Sequence, residues 1–254
     1  MFTEERYKYI LNLLDKNGKV LVKELSQEFN ISESMIRKDL QALEKQNLLK
    51  RTYGGAINIK HTIANIESFH TRVEKDTDLK QITAKKAFNL VADKDTIFLD
   101  ASSISYLIAK YMVENDKEAT IITNMLQIAS LIPENSKTKF IFIGGEYNSV
   151  VGGNIGSLSI EQTKRYRCNK AFIGCTGIDL KDGIAITALS DDAILKNSVM
   201  NISQEVYLVM LNSKFKANGN FAFANIGEFT GVITESIPDK TIISTLENFN
   251  INLI

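Results

Sequence analysis

An N-terminal winged helix-turn-helix joined to a C-terminal α/β domain is the fold class that the sequence predicts, and three observations carry it. Apolar residues first recur at helical spacing in three short stretches, all before Gln46. Two short β-rich runs then flank a Gly-Gly turn. Beyond Arg72, strand-like and helix-like segments alternate to the end of the chain, the pattern of a parallel, doubly wound or related sheet.

Residues 4 to 15 place Tyr7, Ile10, Leu11 and Leu14 on one helical face, and Gly18 ends that helix. VLVKELSQEF opens a second helix with Val22, Leu25 and Phe29 inward. The turn NIS follows, with Ser32 as N-cap of a third helix. LLKRTYGG then gives a short strand, a basic tip and a Gly-Gly turn, and AINI the returning strand. Three short helices and a two-stranded hairpin make a winged helix-turn-helix. Residues 1–56 form this first domain, 57–72 a linker without firm periodicity, and 73–254 the second domain. In the second, LKQITAKKAFNLVA is helical, TIFLDA a strand, and SISYLIAKYMVEN a helix. Strands over ATIITN, KFIFIGG and KAFIGC follow, then the helix DDAILKNSVMNIS and the strands EVYLVML and GVITE.

A chain of 254 residues is long enough for two ordinary domains or one large α/β domain. Its net charge of zero argues neither for nor against a polyanionic partner. The first 56 residues carry ten Lys and Arg against eight Asp and Glu, too slight a bias to decide, so placement must. Cys168 and Cys175 are expected as reduced thiols. The only histidines, His61 and His70, fall in the connecting segment, which leaves histidine catalysis and a metal site without support and implies no cofactor. MFTEERYKY lacks an apolar signal region and no run reaches transmembrane length, so a cytoplasmic protein is expected. VVGGNIG lacks the flanking elements of a dinucleotide site, and no Walker lysine pattern is present.

The third helix carries two stripes. Ile36, Leu40 and Leu43 line one side; Ser34, Arg37, Lys38 and Gln41 line the other, starting at the helix N-terminus. In helix-turn-helix docking such N-terminal residues reach base edges in the major groove, while wing cations meet phosphates. The stripe alone is equally compatible with a solvated face on a small helical bundle.

ELSQEFNISESMIRKDLQALEKQNLLKRTYGGA resembles the N-terminal domain of the DeoR family of bacterial transcriptional regulators. That pattern runs Leu-Ala, a Val-Ser turn, Thr-Ile-Arg-Arg-Asp-Leu and Arg-x-His-Gly-Gly-Ala. Leu25, Ser32, Ile36, Arg37, Asp39, Leu40, Leu43, Glu44, Arg51, Gly54, Gly55 and Ala56 match it. Met35, Lys38 and Tyr53 depart from it. The resemblance implies double-stranded operator DNA as a partner, contacted by Ser32, Ser34, Arg37, Lys38, Gln41, Lys50, Arg51, Tyr53, Gly54 and Gly55. Lacking the planar fork of arginine, Lys38 is expected on phosphate rather than on a base.

The resemblance continues through most of the chain. It implies a second domain similar in fold to ribose phosphate isomerases, sensing a phosphorylated sugar or polyol. Matching positions are Arg72 and Lys80 after Phe69, Asp100 with Ser102 and Ser103 in DASSIS, and Thr123 and Asn124 in IITN. Gly144 and Gly145 follow in FIGG, Gly174, Thr176 and Gly177 in GCTGID, Asp192 and Lys196 in DDAILK, and Asn212 and Lys214 in LNSKF. Loops after parallel strands gather at the carboxyl edge of a sheet, where ligands bind, and a small-residue loop opening a helix offers N–H groups to a phosphate. Ser102 stands where the family has Gly, and its Cβ would obstruct a positive φ; Asn212 replaces a carboxylate. Either change implies a different effector or weakened effector binding. The expected protein is a repressor of a sugar or polyol operon and a homo-oligomer, dimer or tetramer, paired through its second domain. The competing class is a sugar phosphate isomerase-like enzyme fused to a DNA-binding module.

Overall fold

The computed structural model describes residues 3–17, 19–46, 48–52, 54–58, 69–217 and 219–254. Chain contacts fall into two compact units, residues 1–66 and 67–254.

The first unit runs α1 (Thr3–Asn17), β1 (Lys19–Leu21), α2 (Val22–Phe29), α3 (Glu33–Lys45), β2 (Leu49–Thr52) and β3 (Gly55–Asn58). Ile10, Leu14, Val22, Leu25, Ile36, Leu40 and Leu43, all selected by the helical spacing, make its core together with Leu49 of β2. Asn30 ends α2 in the left-handed region at φ 52°. The Ile31 N–H then returns to the Ser26 carbonyl at 3.2 Å, and the Ser26 hydroxyl donates to the Ile31 carbonyl at 2.6 Å. Ser32 caps α3, its hydroxyl accepting from the Met35 N–H at 3.3 Å.

One reading is corrected here. Lys19–Leu21 is a strand rather than the first turn of α2, and it pairs antiparallel with β3, so the wing sheet has three strands in the order β1-β3-β2. Val20 and Val22 face inward on either side of exposed Leu21, an alternation too short to outweigh the helical spacing that follows.

The second unit starts with α4 (Phe69–Glu74), which lies partly inside the stretch expected to be linker. Phe69 is buried and meets Tyr106 edge to face at 5.5 Å between ring centres, so the chain is anchored from that residue on. Of the expected linker, residues 59–68 lie outside the described residues, and β3 occupies its first two positions. After α4 come α5 (Thr77–Phe88), β4 (Thr96–Leu99), α6 (Ser103–Glu114), β5 (Thr120–Thr123), α7 (Leu126–Ala129) and β6 (Lys139–Phe142). A hairpin, β7 (Glu146–Asn148) and β8 (Gly153–Ile155), precedes α8 (Ser157–Thr163) and β9 (Cys168–Ile173). Then follow β10 (Gly177–Asp179), β11 (Ile184–Thr187), α9 (Ser190–Asn201), β12 (Ser203–Val209), β13 (Phe221–Asn225), β14 (Gly231–Ile233) and α10 (Lys240–Asn248).

Six strands form one parallel sheet in the order β14-β12-β9-β4-β5-β6. Side chains alternate across it as the strand period demands. Ile97, Leu99, Ile121 and Phe172 pack with Ala84, Leu107, Ile108 and Met112 of α5 and α6 on one face. Phe98, Ile122, Ala171 and Leu208 pack with Val199, Phe223, Ile242 and Leu246 on the other. The small antiparallel sheet β10-β11-β13 covers part of that second face. Among the described residues, no helix is long and apolar enough to cross a membrane.

Candidate functional site

In the first unit, α3 presents Ser34, Met35, Arg37, Lys38 and Gln41 to solvent while Ile36, Asp39, Leu40 and Leu43 face inward. Arg37 pairs with Glu33 one turn away at 2.8 Å, both side chains well exposed. Such a pair contributes only about 0.3–0.5 kcal/mol, so the guanidinium is readily exchanged to another acceptor. Asp39, on the inward side, takes two hydrogen bonds from the Arg6 guanidinium, at 2.8 and 3.1 Å. That hydrogen bond to Asp39 is the main cause holding Arg6 above its ordinary pKa, against the opposing cost of burial. Sequence reasoning missed Arg6; the signal was a carboxylate on an otherwise apolar stripe, which calls for a buried cation.

Several of the expected contact residues in the wing have structural partners of their own. Arg51 is not free at the tip: its Nε meets Glu44 at 2.7 Å and its backbone N–H meets the same carboxylate at 2.9 Å, tying β2 to the end of α3. Gly54 is a turn residue at φ +86°, and its carbonyl accepts from the Val22 N–H at 2.8 Å. At Gly55 a Cβ would stand 2.1 Å from the Val20 carbonyl oxygen, so glycine is needed there for the close approach of β1 and β3. Both glycines thus have structural reasons that need no DNA. Tyr53 and the side chain of Lys50 lie outside the described residues.

In the second unit, Asp100, Asn124 and Gly174 follow β4, β5 and β9 at the carboxyl edge of the parallel sheet. Asp100 is 4 % exposed. One of its oxygens accepts from Lys196 Nζ at 2.5 Å and from the Gly174 N–H at 2.8 Å, the other from the Ser105 hydroxyl at 2.7 Å. Lys196 reaches Asp192 at 3.6 Å, and Asp192 accepts from the Thr187 hydroxyl at 2.5 Å. Burial alone would raise the Asp100 carboxyl, but the Lys196 ammonium and the hydrogen bonds together hold it below the usual carboxylate range. Burial likewise opposes the charge on Lys196, and Asp100 and Asp192 outweigh it, holding that ammonium above its ordinary value. Each charge thus stabilises the other inside the buried cluster.

Ser102 adopts φ −114°, ordinary extended backbone, so the expected conflict between its Cβ and a positive φ does not arise. Its hydroxyl accepts from the Ser105 N–H at 3.1 Å, capping α6. Ser103 and Thr123 are buried beside it in sequence and at the end of β5, and the Thr123 hydroxyl accepts from the Met125 N–H at 3.1 Å. Asn124 is 1 % exposed; its Nδ2 donates to the Asn154 carbonyl at 2.8 Å while its Oδ1 has no partner among the described residues. An open buried acceptor costs about 1–3 kcal/mol, which a ligand's donor would recover. Ser105, Thr187 and Asn154 were missed by sequence reasoning, because each meets its partner only once the strands are in register.

Other expected effector residues are placed differently. Arg72 donates to the carbonyls of Val150 and Val151 at 3.2 and 2.6 Å, and Lys80 to those of Arg72 and Lys75, so both cations hold backbone. Gly144 donates to Gln162 Oε1 at 2.8 Å, and a Cβ at Gly145 would collide with Ser159 Oγ at 2.1 Å, which makes that pair a packing site for α8. The Thr176 N–H donates to the Ile186 carbonyl at 2.9 Å, and a Cβ at Gly177 would stand 2.0 Å from the Ala217 carbonyl oxygen. Asn212 opens a 3-10 turn (Asn212–Lys216), its Nδ2 donating to Ser236 and its N–H to Glu235 at 2.9 Å. A carboxylate at position 212 would set acceptor against acceptor there. Lys214, half-buried in the same turn, has no acidic partner among the described residues. Its positive charge and that of Lys196 both act on Cys175, which lies beside Gly174. Both cysteines are free thiols, and burial pushes Cys168 up to about 11 and Cys175 up to about 12. No cluster suited to a metal occurs among the described residues.

A winged helix-turn-helix with an exposed polar face on its third helix, carried on one chain with a parallel α/β unit, defines a DNA-binding transcriptional regulator with a sensor domain. The chain belongs to the DeoR family: residues 6–62 match the DeoR-like helix-turn-helix domain and residues 75–236 the DeoR C terminal sensor domain. It is 28% identical to the HTH-type transcriptional repressor GlcR of Bacillus subtilis, over 100% of this chain and 96% of that protein. It is also 28% identical to the glycerol-3-phosphate regulon repressor of Escherichia coli, over 98% and 97% of the two chains. Among solved structures, ribose 5-phosphate isomerase A of Methanocaldococcus jannaschii is 18% identical and covers 55% of each chain, with a TM-score of 0.39.

Proposed function

We propose that this regulator represses a sugar or polyol operon in the cytoplasm and leaves its operator when a phosphorylated sugar or polyol binds the second unit. Asp100, Ser102, Ser103, Thr123, Asn124, Lys196 and Lys214 are the effector residues in this reading, and Arg37, Lys38, Gln41 and Ser34 the operator-facing ones. The observation that carries it is the buried Asp100–Lys196 pair, gathered at the carboxyl edge with the open Oδ1 of Asn124. The names of the two relatives, both repressors, support the direction of the response. Both relatives are named as repressors, which supports reading the protein as a non-enzyme; turnover of ribose 5-phosphate would contradict that. An even homo-oligomer, assembled through the second unit, would give two linked winged modules the avidity that one lacks.

Linkage fixes the test. An inducer must bind the DNA-free protein more tightly, with a coupling of roughly 1–3 kcal/mol, and operator DNA must weaken inducer binding by the same factor. A panel of phosphorylated pentoses, hexoses, amino sugars and polyols should contain one compound that raises the melting temperature and releases operator DNA. Lys214→Ala should remove both effects. Failure of the whole panel on protein that still binds its operator would overturn the effector reading. Sedimentation of the intact chain as a monomer at micromolar concentration would overturn the oligomer.

A further inference from the structure

The densest basic run of the chain does not lie in the winged module. Lys164, Arg165, Arg167 and Lys170 fall within seven residues, and no other window of that length holds four cations. The run forms the turn from α8 into β9, where the Arg165 and Tyr166 N–H groups close on the Gln162 and Thr163 carbonyls, each at 3.1 Å. It precedes β9, so it lies at the amino edge of the parallel sheet, away from Asp100 and Gly174 at the carboxyl edge. Two of the four cations are already paired: Lys170 with Asp95 at 2.8 Å, both largely buried, and Lys164 with Glu161 at 2.6 Å. Arg165 and Arg167 are exposed, and neither is ion-paired among the described residues. Tyr166 between them is half-buried and packs against the core of the sheet's second face, which anchors the turn and leaves its two neighbours at the surface. Arg167 donates one N–H to the Tyr166 carbonyl at 2.9 Å, and the rest of its fork is open to a partner.

We infer that this turn is a second DNA contact, at which Arg165 and Arg167 hold backbone phosphates of double-stranded DNA without reading its sequence. Two guanidiniums lacking carboxylate partners suit phosphate oxygens, which they meet through paired N–H groups. The turn presents no helix or ribbon that could enter a groove, so its contact is with phosphate alone. The first 56 residues carry ten Lys and Arg against eight Asp and Glu, an excess of only two. Sequence-independent affinity comes from the number of phosphates neutralised, and the basic turn adds to a small number. DNA is the polyanion that a transcriptional regulator meets, which favours it over an acidic protein or an anionic lipid surface as the occupant.

Fluorescence anisotropy of the intact chain on a random-sequence duplex of about 60 base pairs, across about 50 to 200 mM salt, tests it. Arg165→Gln with Arg167→Gln should flatten the slope of log affinity against log salt by about 1.8, two phosphates at about 0.9 each. Arg165→Lys with Arg167→Lys, which keeps both charges, should retain most of the native slope. Lys110→Gln with Lys181→Gln removes two exposed cations elsewhere on the second unit and should leave the slope as it was. The preference for a duplex selected by the native protein over a random one of equal length should survive Arg165→Gln with Arg167→Gln, because phosphate carries no sequence information. An unchanged slope overturns the inference, as does an equal fall in the Lys110 and Lys181 variant, which would make the effect one of general charge. Lost preference for the selected duplex overturns it as well. Loss of binding to phosphatidylserine vesicles, with the DNA slope unmoved, would assign the turn to a lipid surface instead.

Discussion

Arg6 of α1 and Asp39 of α3, 33 residues apart, face each other across the first unit through two parallel hydrogen bonds. Both side chains are at least nine-tenths buried. The pair fixes how far α3 is turned about its own axis, because Asp39 lies opposite the exposed face of Arg37 and Gln41. Asp39→Ala would strand a buried guanidinium, at a cost of about 3 kcal/mol. Calorimetry of the intact chain should show a lower melting transition together with loss of operator binding. An unchanged transition would show that the pair orders nothing.

Arg37→Ala should behave in the opposite way. It removes an exposed pair with Glu33 and leaves stability within a few tenths of a kcal/mol, yet it should erase discrimination between operator and random DNA. A lost bidentate base contact corresponds to about 1–3 kcal/mol. Arg51→Ala should weaken binding to every sequence and flatten its salt dependence, while also loosening the wing through the lost Glu44 contact. Equal losses on both DNAs for Arg37→Ala would reassign that residue to phosphate.

Gly55→Ala should unseat β1. The new methyl would lie 2.1 Å from the Val20 carbonyl oxygen, backbone that cannot rotate aside. Strain of about 1–3 kcal/mol and weaker DNA binding are expected. Gly54→Ala meets open space but a φ of +86°, so its cost is conformational and its melting shift should arise without a steric clash. Two variants with identical structures of the wing would contradict this distinction.

Lys196→Met should reverse a pH slope. In the native protein Asp100 is held below the ordinary carboxylate pKa, so its contribution is complete above about pH 4 and is lost as pH falls through the lowered value. Without the ammonium, burial beside Asp192 would raise the Asp100 carboxyl instead. The folded state then binds more protons than the unfolded one, and stability should rise as pH falls from 8 to 5. At neutral pH the variant should be about 3–5 kcal/mol less stable. Melts across that range giving parallel slopes for both proteins would refute the assignment.

The main architecture was legible because burial imposes period. Ile10, Leu14, Ile36, Leu40 and Leu43 mark their helices, and Ile97, Phe98 and Leu99 a strand covered on both faces. β1 was hidden because three residues cannot display an alternation, and Val22 serves the following helix equally well. The antiparallel sheet β10-β11-β13 was missed because β13 is brought in from beyond α9 and β12, a pairing that no local spacing announces. In the candidate site, Asp100, Asp192 and Lys196 were found by motif and do meet. Arg72 and Lys80 belong to the same motif set, but a charged residue type does not reveal whether its head group faces a ligand or a carbonyl. Their long stems fold back onto the turn after α4 and onto Val150 and Val151, an outcome set by packing rather than by sequence spacing.

The two native thiols, at about 11 and about 12, carry almost no thiolate at neutral pH. A cysteine newly placed at an exposed position would have an ordinary thiol and react with a maleimide dye far faster than either. Met35, on the outer face of α3, is 46 % exposed and offers such a place. A fluorophore there would need no prior removal of Cys168 or Cys175, and its quenching would report in real time whether α3 has entered a groove.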